Sequence, residues 1–311
     1  MKCVLLCFDI GGSKYNVGLV DGEGRILAQS VAPWQEPPSA ESVPRELFAC
    51  ADALLAAHPE HVPAAIGATI PGLADPERGL WVEAAFSGIR DLPIRDLLEG
   101  RYHLPAAIDN DGQACALAEQ VFGCCKGAGD FLYLTVSNGV GGAVVLNGAP
   151  YGGASLGAGE IGHCTVVENG RPCACGNLGC LEAHAAGPGI SKNYLELGGT
   201  PEPDGSAPSA KEIASRARSG EAAALETFRL EGEYLGRAIS WAVNLLNPVK
   251  VVLGGGVSLA FDLFGSSLRE TVSRRIYRRA NEALVIEPTP LGSDGGLYAA
   301  AAVARTKFKG E

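Results

Sequence analysis

Potential metal ligands are concentrated in the middle of the sequence, within GHCTVVENGRPCACGNLGCLE at 162–182. They follow the pattern H-x9-C-x-C-x4-C, whose members are His163, Cys173, Cys175 and Cys180. One neutral imidazole and three thiolates form a closed tetrahedral shell, which suits structural zinc. Spacing alone does not exclude Cys164 and His184 as rival ligands.

Three glycine turns, at 9–14, 137–142 and 254–256, follow apolar strands and could bind phosphate, because glycine lets backbone N–H groups approach an anion. None matches GxxxxGK[ST] or a helix-opening GxGxxG, so a nucleotide would need several loops. Asp9 could hold Mg²⁺ and its waters, and Lys14 could meet a phosphate or be a solvated charge. The candidate nucleotide-binding residues are Asp9, Gly11, Gly12, Ser13, Lys14, Asn138, Gly139, Gly141, Gly254, Gly255 and Gly256.

Several acidic residues could act on a polar substrate. Asp111, in the Asn110-Asp111 pair that opens a helix, could be a general base worth roughly 10²–10⁴ in rate. Asn and Asp are also favoured helix caps, worth about 1 kcal/mol of stability, and the residues alone leave both roles open. Glu160, in GAGEIGH, could accept hydrogen bonds from a polyol. Glu160 and Glu182 flank the metal pattern, and each could also be an ordinary solvated carboxylate.

Short apolar strands alternate with helices and would position these residues. The predicted strands are 3–8, 15–20, 25–30, 64–70, 106–108, 131–136, 143–146 and 249–253. Helices are predicted over 40–57, from Asn110, after a Ser209–Glu212 capping box, and at the C-terminus. This alternation predicts an α/β fold.

One arrangement of elements occurs twice. Strand, glycine turn, strand and hairpin turn appear near the start and again from residue 131, with Asp21-Gly22 and Asn147-Gly148 as the hairpin signals. Two similar halves facing each other would form a cleft. Chance repetition is the alternative, because glycine-rich hairpins are common.

The composition limits the class of protein. The chain has 311 residues, 47% of them apolar and 19% charged, so one large or two ordinary globular domains are expected. Its net charge of -10 argues against nucleic acid as a partner. The apolar run 3–8 is too short for a signal peptide, and no run is long enough to span a membrane. We therefore expect a cytoplasmic protein without a membrane partner, whose ten cysteines are thiols or metal ligands.

These motifs together resemble the ROK family of sugar kinases and sugar-responsive repressors. The matching segments, in the family's order, are DIGGSKYNVGLVD, IPG, NDGQACALAE, NGVGGAVVLNG, GAGEIGH followed by CACGNLGCLE, and VVLGGGVS. The resemblance implies an actin-like ATPase or ribonuclease-H-like fold, with two similar lobes and a cleft between them. An N-terminal lobe of residues 1–118 would carry the packed-back C-terminal helix 295–311. A C-terminal lobe of residues 119–294 would carry the zinc site, and a homodimer is expected.

The resemblance also implies an ATP-dependent sugar kinase that uses Mg²⁺ and structural Zn²⁺. Asp111 would take a proton from a sugar hydroxyl, whose oxygen would attack the γ-phosphate. The resemblance thus favours catalysis over capping for Asp111, and it supports the duplication. The residues matched to the sugar side are Pro71, Gly72, Asn110, Asp111, Glu160, His163 and Glu182.

Because four ligands leave no open position, the metal's expected role is positional. His163 would give one ring nitrogen to the metal and direct the other towards a hydroxyl, and Glu182 would be fixed two residues after Cys180. We expect metal removal to lower sugar affinity before nucleotide affinity.

Three departures from the family pattern concern activity and the sugar. Asn138 stands where the second loop often has Thr or Ser, although an amide can still donate to phosphate. Gly112-Gln113 replaces the end of a frequent NDAN motif, and the segment 84–89 lacks a frequent Asn and Trp. Glucose, converted to glucose 6-phosphate, is the first expectation. N-acetylmannosamine, N-acetylglucosamine, allose and fructose are alternatives, as is a non-catalytic sugar sensor.

Overall fold

The structure, a computed structural model, describes residues 3–84 and 87–308. Within them the strands are β1 (Val4–Ile10), β2 (Lys14–Asp21), β3 (Ile26–Pro33), β4 (Pro63–Ile70), β5 (Leu73–Asp75), β6 (Leu80–Ala84), β7 (Ile89–Leu92), β8 (Ala106–Asn110), β9 (Phe131–Val136), β10 (Val140–Leu146), β11 (Ala149–Pro150), β12 (Lys250–Gly254) and β13 (Val285–Pro288). The α-helices are α1 (Ser42–Ala57), α2 (Ile94–Tyr102), α3 (Asp111–Val121), α4 (Leu181–Ala185), α5 (Gly187–Glu196), α6 (Ala210–Arg218), α7 (Ala222–Leu246), α8 (Phe261–Arg275) and α9 (Gly295–Lys307). The predicted α/β class is confirmed.

Two five-stranded sheets repeat one topology. Their strand orders are β3-β2-β1-β4-β8 and β11-β10-β9-β12-β13. In the first sheet β1 pairs antiparallel with β2 and parallel with β4. In the second, β9 pairs antiparallel with β10 and parallel with β12. The two halves therefore repeat one pattern of strands, as the sequence motifs predict. The first half adds a three-stranded sheet, β5-β6-β7.

The chain divides into two compact units. The first comprises the described residues of 1–126, 152–157 and 293–311, and the second comprises 127–151 and 158–292. The lobe boundary placed after residue 118 from sequence falls inside α3, which lies whole in the first unit. The C-terminal helix α9 ends at Lys307 and packs on β1, β4 and α3 of the same unit. Of the segment 295–311, residues 309–311 lie outside the described residues. Among the described helices, none combines the length and apolar character needed to cross a bilayer.

Helix α9 lies directly on β4 because small residues line their contact. A Cβ atom at Gly67 would be 1.9 Å from the carbonyl oxygen of Ala300. Ala300 and Ala304 are fully buried and pack with Leu5 and Ala65. The alanine-rich stretch of the C-terminus is therefore a packing surface against the sheet.

Two local expectations from the sequence are wrong in detail. Strand β1 does not end before Asp9 but continues to Ile10, because Asp9 still pairs with neighbouring strands on both sides. The Asp21-Gly22 pair does mark a hairpin, because β2 and β3 pair antiparallel, but the turn is longer than these two residues. The positive φ of 88° lies at Gly24, and the Asp21 carboxylate accepts hydrogen bonds from the amides of a longer turn.

The second hairpin forms as the sequence predicts. Asn147 and Gly148 have φ values of 53° and 78°, and they connect β10 to β11 directly. Two consecutive residues with positive φ give the tight turn that fits the right-handed twist of paired strands.

Replacing Gly67 should destabilise the first unit. In Gly67→Ala the new methyl group collides with the α9 backbone, so we expect a loss of about 2–3 kcal/mol in urea unfolding. The matched control is Gly100→Ala in α2, where an added Cβ meets nothing within 4 Å. This control should gain about 0.5–1 kcal/mol from helix propensity. Equal stability of the Gly67→Ala and wild-type proteins would contradict the close contact.

Candidate active site and metal cluster

In the first unit, polar residues form a row at the carboxyl ends of three strands. Asp9 on β1 pairs with Thr69 on β4, which pairs with Asp109 on β8. The buried Thr69 hydroxyl donates to Asp9 Oδ1 at 3.1 Å. Burial raises the pKa of Asp9, while the Thr69 hydrogen bond and the charge of Lys14 oppose that shift. Lys14 thus acts on the Asp9 carboxylate electrostatically.

The first glycine loop is a tight turn between β1 and β2. Gly11 N donates to Lys14 O at 3.0 Å, and a Cβ at Gly11 would lie 2.8 Å from that same oxygen. The Trp34 indole donates to Gly11 O at 2.9 Å. Gly12, Ser13 and Lys14 are exposed. The loop therefore has a fixed base and an accessible tip, which is an arrangement suited to an anion.

Asn110 is the residue that caps α3. Its Oδ1 accepts from the amides of Gly112 at 2.9 Å and Gln113 at 3.2 Å. Asp111 follows in the first helical turn, where its Oδ1 accepts from Asn110 Nδ2 at 3.1 Å and from the Gly112 amide at 2.8 Å. Because Asn110 fills the position of the cap, capping does not account for an aspartate at position 111.

The Pro71-Gly72 turn lies beside this helix start. Asn110 Nδ2 donates to Gly72 O at 2.7 Å. Gly72 has a φ of 81°, and a Cβ there would be 2.4 Å from Glu83 O, so the turn requires glycine. The structure thus brings the first unit's predicted sugar-side residues together. In the segment 84–89, which departs from the family pattern, residues 85 and 86 lie outside the described residues.

In the second unit, the four predicted metal ligands form one cluster. The ligand atoms of His163, Cys173, Cys175 and Cys180 all lie within 4.8 Å of one another. Cys175 Sγ lies 3.7 Å from Cys180 Sγ, and Cys173 Sγ lies 3.7 Å from His163 Nδ1. A tetrahedral ion with metal–sulfur bonds of about 2.3 Å and metal–nitrogen bonds of about 2.0 Å separates such atoms by about 3.5–3.8 Å. The cluster therefore fits a metal ion with little rearrangement.

The two rival ligands lie outside this cluster. His184 Nε2 accepts from the Arg171 amide at 3.2 Å, and its buried ring packs against Tyr234. Burial lowers the pKa of His184. Cys164 instead lines an apolar cavity of about 320 Å³ together with Trp241.

Two of the predicted sugar-binding residues are accessible beside the metal cluster. His163 turns Nδ1 towards Cys173, and its Nε2 lies 3.7 Å from Glu160 Oε2. The side chains of His163 and Glu160 are 36% and 64% exposed. A ligand could therefore reach the second ring nitrogen while the first is directed towards the metal site.

Glu182 lies between the metal cluster and the second glycine loop, residues 137–142. Its Oε2 accepts from the Val140 amide at 3.0 Å, and its Oε1 lies 3.9 Å from Cys173 Sγ. A Cβ at Gly139 would be 2.7 Å from Oε2. The sequence does not predict this contact with the loop, because the family resemblance matches Glu182 only to the sugar side.

The second and third glycine loops border one cavity of about 570 Å³, which both Asn138 and Gly256 line. The loops are adjacent because β9 and β12 are parallel neighbours. Gly255 has a φ of 80°, and a Cβ there would lie 2.3 Å from Val136 O. Lys211 adds positive charge to a largely apolar lining, whereas Arg218 is paired with Asp262 at 2.7 Å. An apolar lining with a nearby cation suits an aromatic, anionic ligand.

The chain is similar to known proteins over most of its length. The profile described as the ROK family matches residues 5–307. A glucokinase of Halalkalibacterium halodurans is 32% identical over 301 residues, which cover 93% of this chain and 91% of that enzyme. The xylose repressor of Bacillus subtilis is 31% identical over 229 residues, which cover 74% of this chain and 58% of the repressor. The structure of a ROK family glucokinase from Streptomyces griseus, in complex with glucose and AMPPNP, has a TM-score of 0.85 and 30% identity. The matched region covers 97% of this chain and 99% of the Streptomyces griseus chain.

The geometry predicts which cysteines bind metal. Cys180→Ser and Cys173→Ser should lose most of the bound ion, whereas wild type should contain about one ion per chain because residues 3–84 and 87–308 hold one four-ligand set. Cys164→Ser is the matched control and should keep its ion. Elemental analysis of the purified proteins measures this, and metal loss in Cys164→Ser would show that the ligand set is wrong.

Asp109 should make stability depend on pH. Burial raises its pKa to about 6 from an ordinary value of 3.8, so the folded state keeps a proton that the unfolded state has lost. Its contribution to stability is therefore full below about pH 4 and is lost as the pH rises to about 6, by a total on the order of 2–3 kcal/mol. Asp109→Asn should remove this decline in urea unfolding, whereas the exposed Asp96→Asn should not. Parallel profiles of wild type and Asp109→Asn would contradict the shift.

Proposed function

The chain belongs to the ROK family, and on that premise we propose that it is an ATP-dependent sugar kinase acting on a hexose. The observation that carries the proposal is the position of Asp111. Asn110 already occupies the cap position, so the cap does not require Asp111, and a carboxylate in the first turn after β8 supports a general-base role. Loss of turnover in Asp111→Asn is the test.

Asp111 would act as the general base that deprotonates the attacking sugar hydroxyl. Its carboxylate would accept a proton from a sugar hydroxyl, and the oxygen would attack the γ-phosphorus in line while the bond to the β,γ-bridging oxygen breaks and ADP leaves. Asp9, oriented by Thr69, would hold the waters around Mg²⁺, which neutralises charge on the phosphates when bound. Lys14 and the exposed loop amides would orient the phosphates.

Residues around the metal cluster would bind the sugar. Glu160 and the Nε2 atom of His163 are accessible and close enough to bind neighbouring hydroxyls, and Glu182 would contribute a carboxylate oxygen. We assign zinc to the cluster, because three thiolates and one imidazole match its ligand preference. Zinc with four protein ligands has no open position for water, so its role would be to fix these side chains.

Glucose is the proposed substrate. It is supported by the glucokinase of Halalkalibacterium halodurans and by the Streptomyces griseus glucokinase with glucose and AMPPNP. The similarity to a xylose repressor supports a second candidate, a non-catalytic sugar sensor. The two differ in one measurable property, because only the kinase releases ADP when sugar is added.

Asp111→Asn should abolish turnover while leaving the fold intact. We expect kcat to fall by roughly 10²–10⁴, the usual contribution of a general base. The measurement is a coupled ADP-release assay with glucose, fructose, allose, N-acetylglucosamine and N-acetylmannosamine. Asp96→Asn, the same change in the first turn of α2, is the matched control and should keep wild-type activity.

Two outcomes would contradict this proposal. If the wild-type protein releases ADP with none of these sugars, the kinase function is ruled out and the sensor function is favoured. Equal turnover by Asp111→Asn and wild type would show that another group accepts the proton.

A further inference from the structure

Glu182 is fixed in place by a metal ligand that precedes it. Cys180, a fully buried member of the cluster, is the N-cap residue of α4, and Glu182 is the second residue of that helix. The Leu181 amide, between them, donates to Cys164 O at 2.9 Å. A metal that binds Cys180 therefore fixes the start of α4, and with it the backbone of Glu182.

The carboxylate of Glu182 faces the cluster on one side and the second glycine loop on the other. Oε1 lies 3.9 Å from Cys173 Sγ, and Oε2 accepts the Val140 amide hydrogen at 3.0 Å. Because a metal-bound Cys173 is a thiolate and cannot donate to a carboxylate, the ion constrains Glu182 through its backbone, at the Cys180 N-cap of α4, and Oε2 keeps the Val140 amide as its donor.

Hydrogen bonds hold the second glycine loop at both ends, and one of them is made by this carboxylate. The Ser137 amide donates to Gly139 O at 2.9 Å, which closes the turn, and Gly187 N donates to Ser137 O at 2.7 Å. Glu182 holds the other end through Val140, and Gly139 leaves space for its oxygen. The segment that follows the metal ligands thus contacts both ends of the loop. Asn138, at the tip, lines the cavity of about 570 Å³.

We propose that Glu182 is a positioning residue that transmits metal occupancy to the second glycine loop, so that metal controls nucleotide binding as well as sugar binding. The proposal rests on the proposed kinase function in taking the loop's ligand to be a nucleotide. Metal loss releases Cys180 and with it the start of α4, so Glu182 loses its fixed position and the Val140 amide loses its acceptor. The loop then samples conformations that do not bind phosphate.

The test measures binding of AMPPNP with Mg²⁺, in the absence of sugar, by calorimetry. Metal-loaded and metal-stripped forms of wild type, Glu182→Ala and Glu182→Gln are compared, with Mg²⁺ restored after the chelator is removed. Stripping wild type should weaken AMPPNP binding about tenfold, near the middle of the range for coupled sites. Loaded Glu182→Ala should already be about tenfold weaker, and stripping should then change it by less than about twofold.

Two variants separate positioning from a general loss of structure. Glu182→Gln keeps an oxygen that can accept the Val140 amide hydrogen, so it should bind AMPPNP like wild type and remain sensitive to stripping. Glu168→Ala removes an exposed carboxylate from the loop between His163 and Cys173, and should behave like wild type. If stripped proteins unfold, hydrogen exchange of residues 137–141 in the loaded variants gives the answer, and exchange should be faster in Glu182→Ala than in Glu182→Gln.

Three results would overturn the proposal. The first is an equal effect of metal stripping on AMPPNP binding by wild type and Glu182→Ala. The second is tighter AMPPNP binding by Glu182→Ala, which is expected if the carboxylate only repelled phosphate. The third is an equal exchange rate of residues 137–141 in loaded Glu182→Ala and loaded Glu182→Gln. Failure of loaded wild type to bind AMPPNP at all is a different result, and it would contradict the kinase function itself.

Discussion

Parallel strand pairing is the constraint on which the candidate site depends. Adjacent parallel strands bring their carboxyl ends to one edge of a sheet, where loops can bind ligands. In the first unit this edge carries Asp9, Thr69 and Asp109 in register, followed by the Asn110-Asp111 helix start. In the second unit the same pairing, between β9 and β12, places two glycine loops side by side. Each half of the chain therefore uses one topology to gather a different set of polar groups.

The metal cluster gives the second unit an order that its short elements would not have alone. Helix α4 has only five residues, too few for a stable isolated helix, and the segment before it has little regular structure. Its shape is set by four ligands, by the Arg171 amide on His184, and by the Glu182 hydrogen bond to Val140. A single ion bound there would therefore affect both the proposed sugar-side residues and the second glycine loop.

Local sequence signals predicted the features that depend on local geometry. The metal ligands were recognisable by spacing, and Asn147-Gly148 by its preference for positive φ. The polar row at Thr69 and Asp109 could not be predicted from local signals. It depends on which strands pair, and these strands lie far apart in the chain. Likewise, the exclusion of His184 depends on a backbone amide that no motif encodes. The resemblance to a family supplied the proposed role of Asp111, which the residues alone left open.

The proposed roles of these residues can be checked together in a crystal structure of the zinc-loaded protein with glucose and AMPPNP. We expect one sugar hydroxyl within about 3 Å of the Asp111 carboxylate, the reach of a general base. We also expect Glu160 and His163 Nε2 to contact other hydroxyls while Glu182 still accepts the Val140 amide hydrogen. Glucose bound without contact to Asp111, or to neither Glu160 nor His163, would show that the proposed site is wrong.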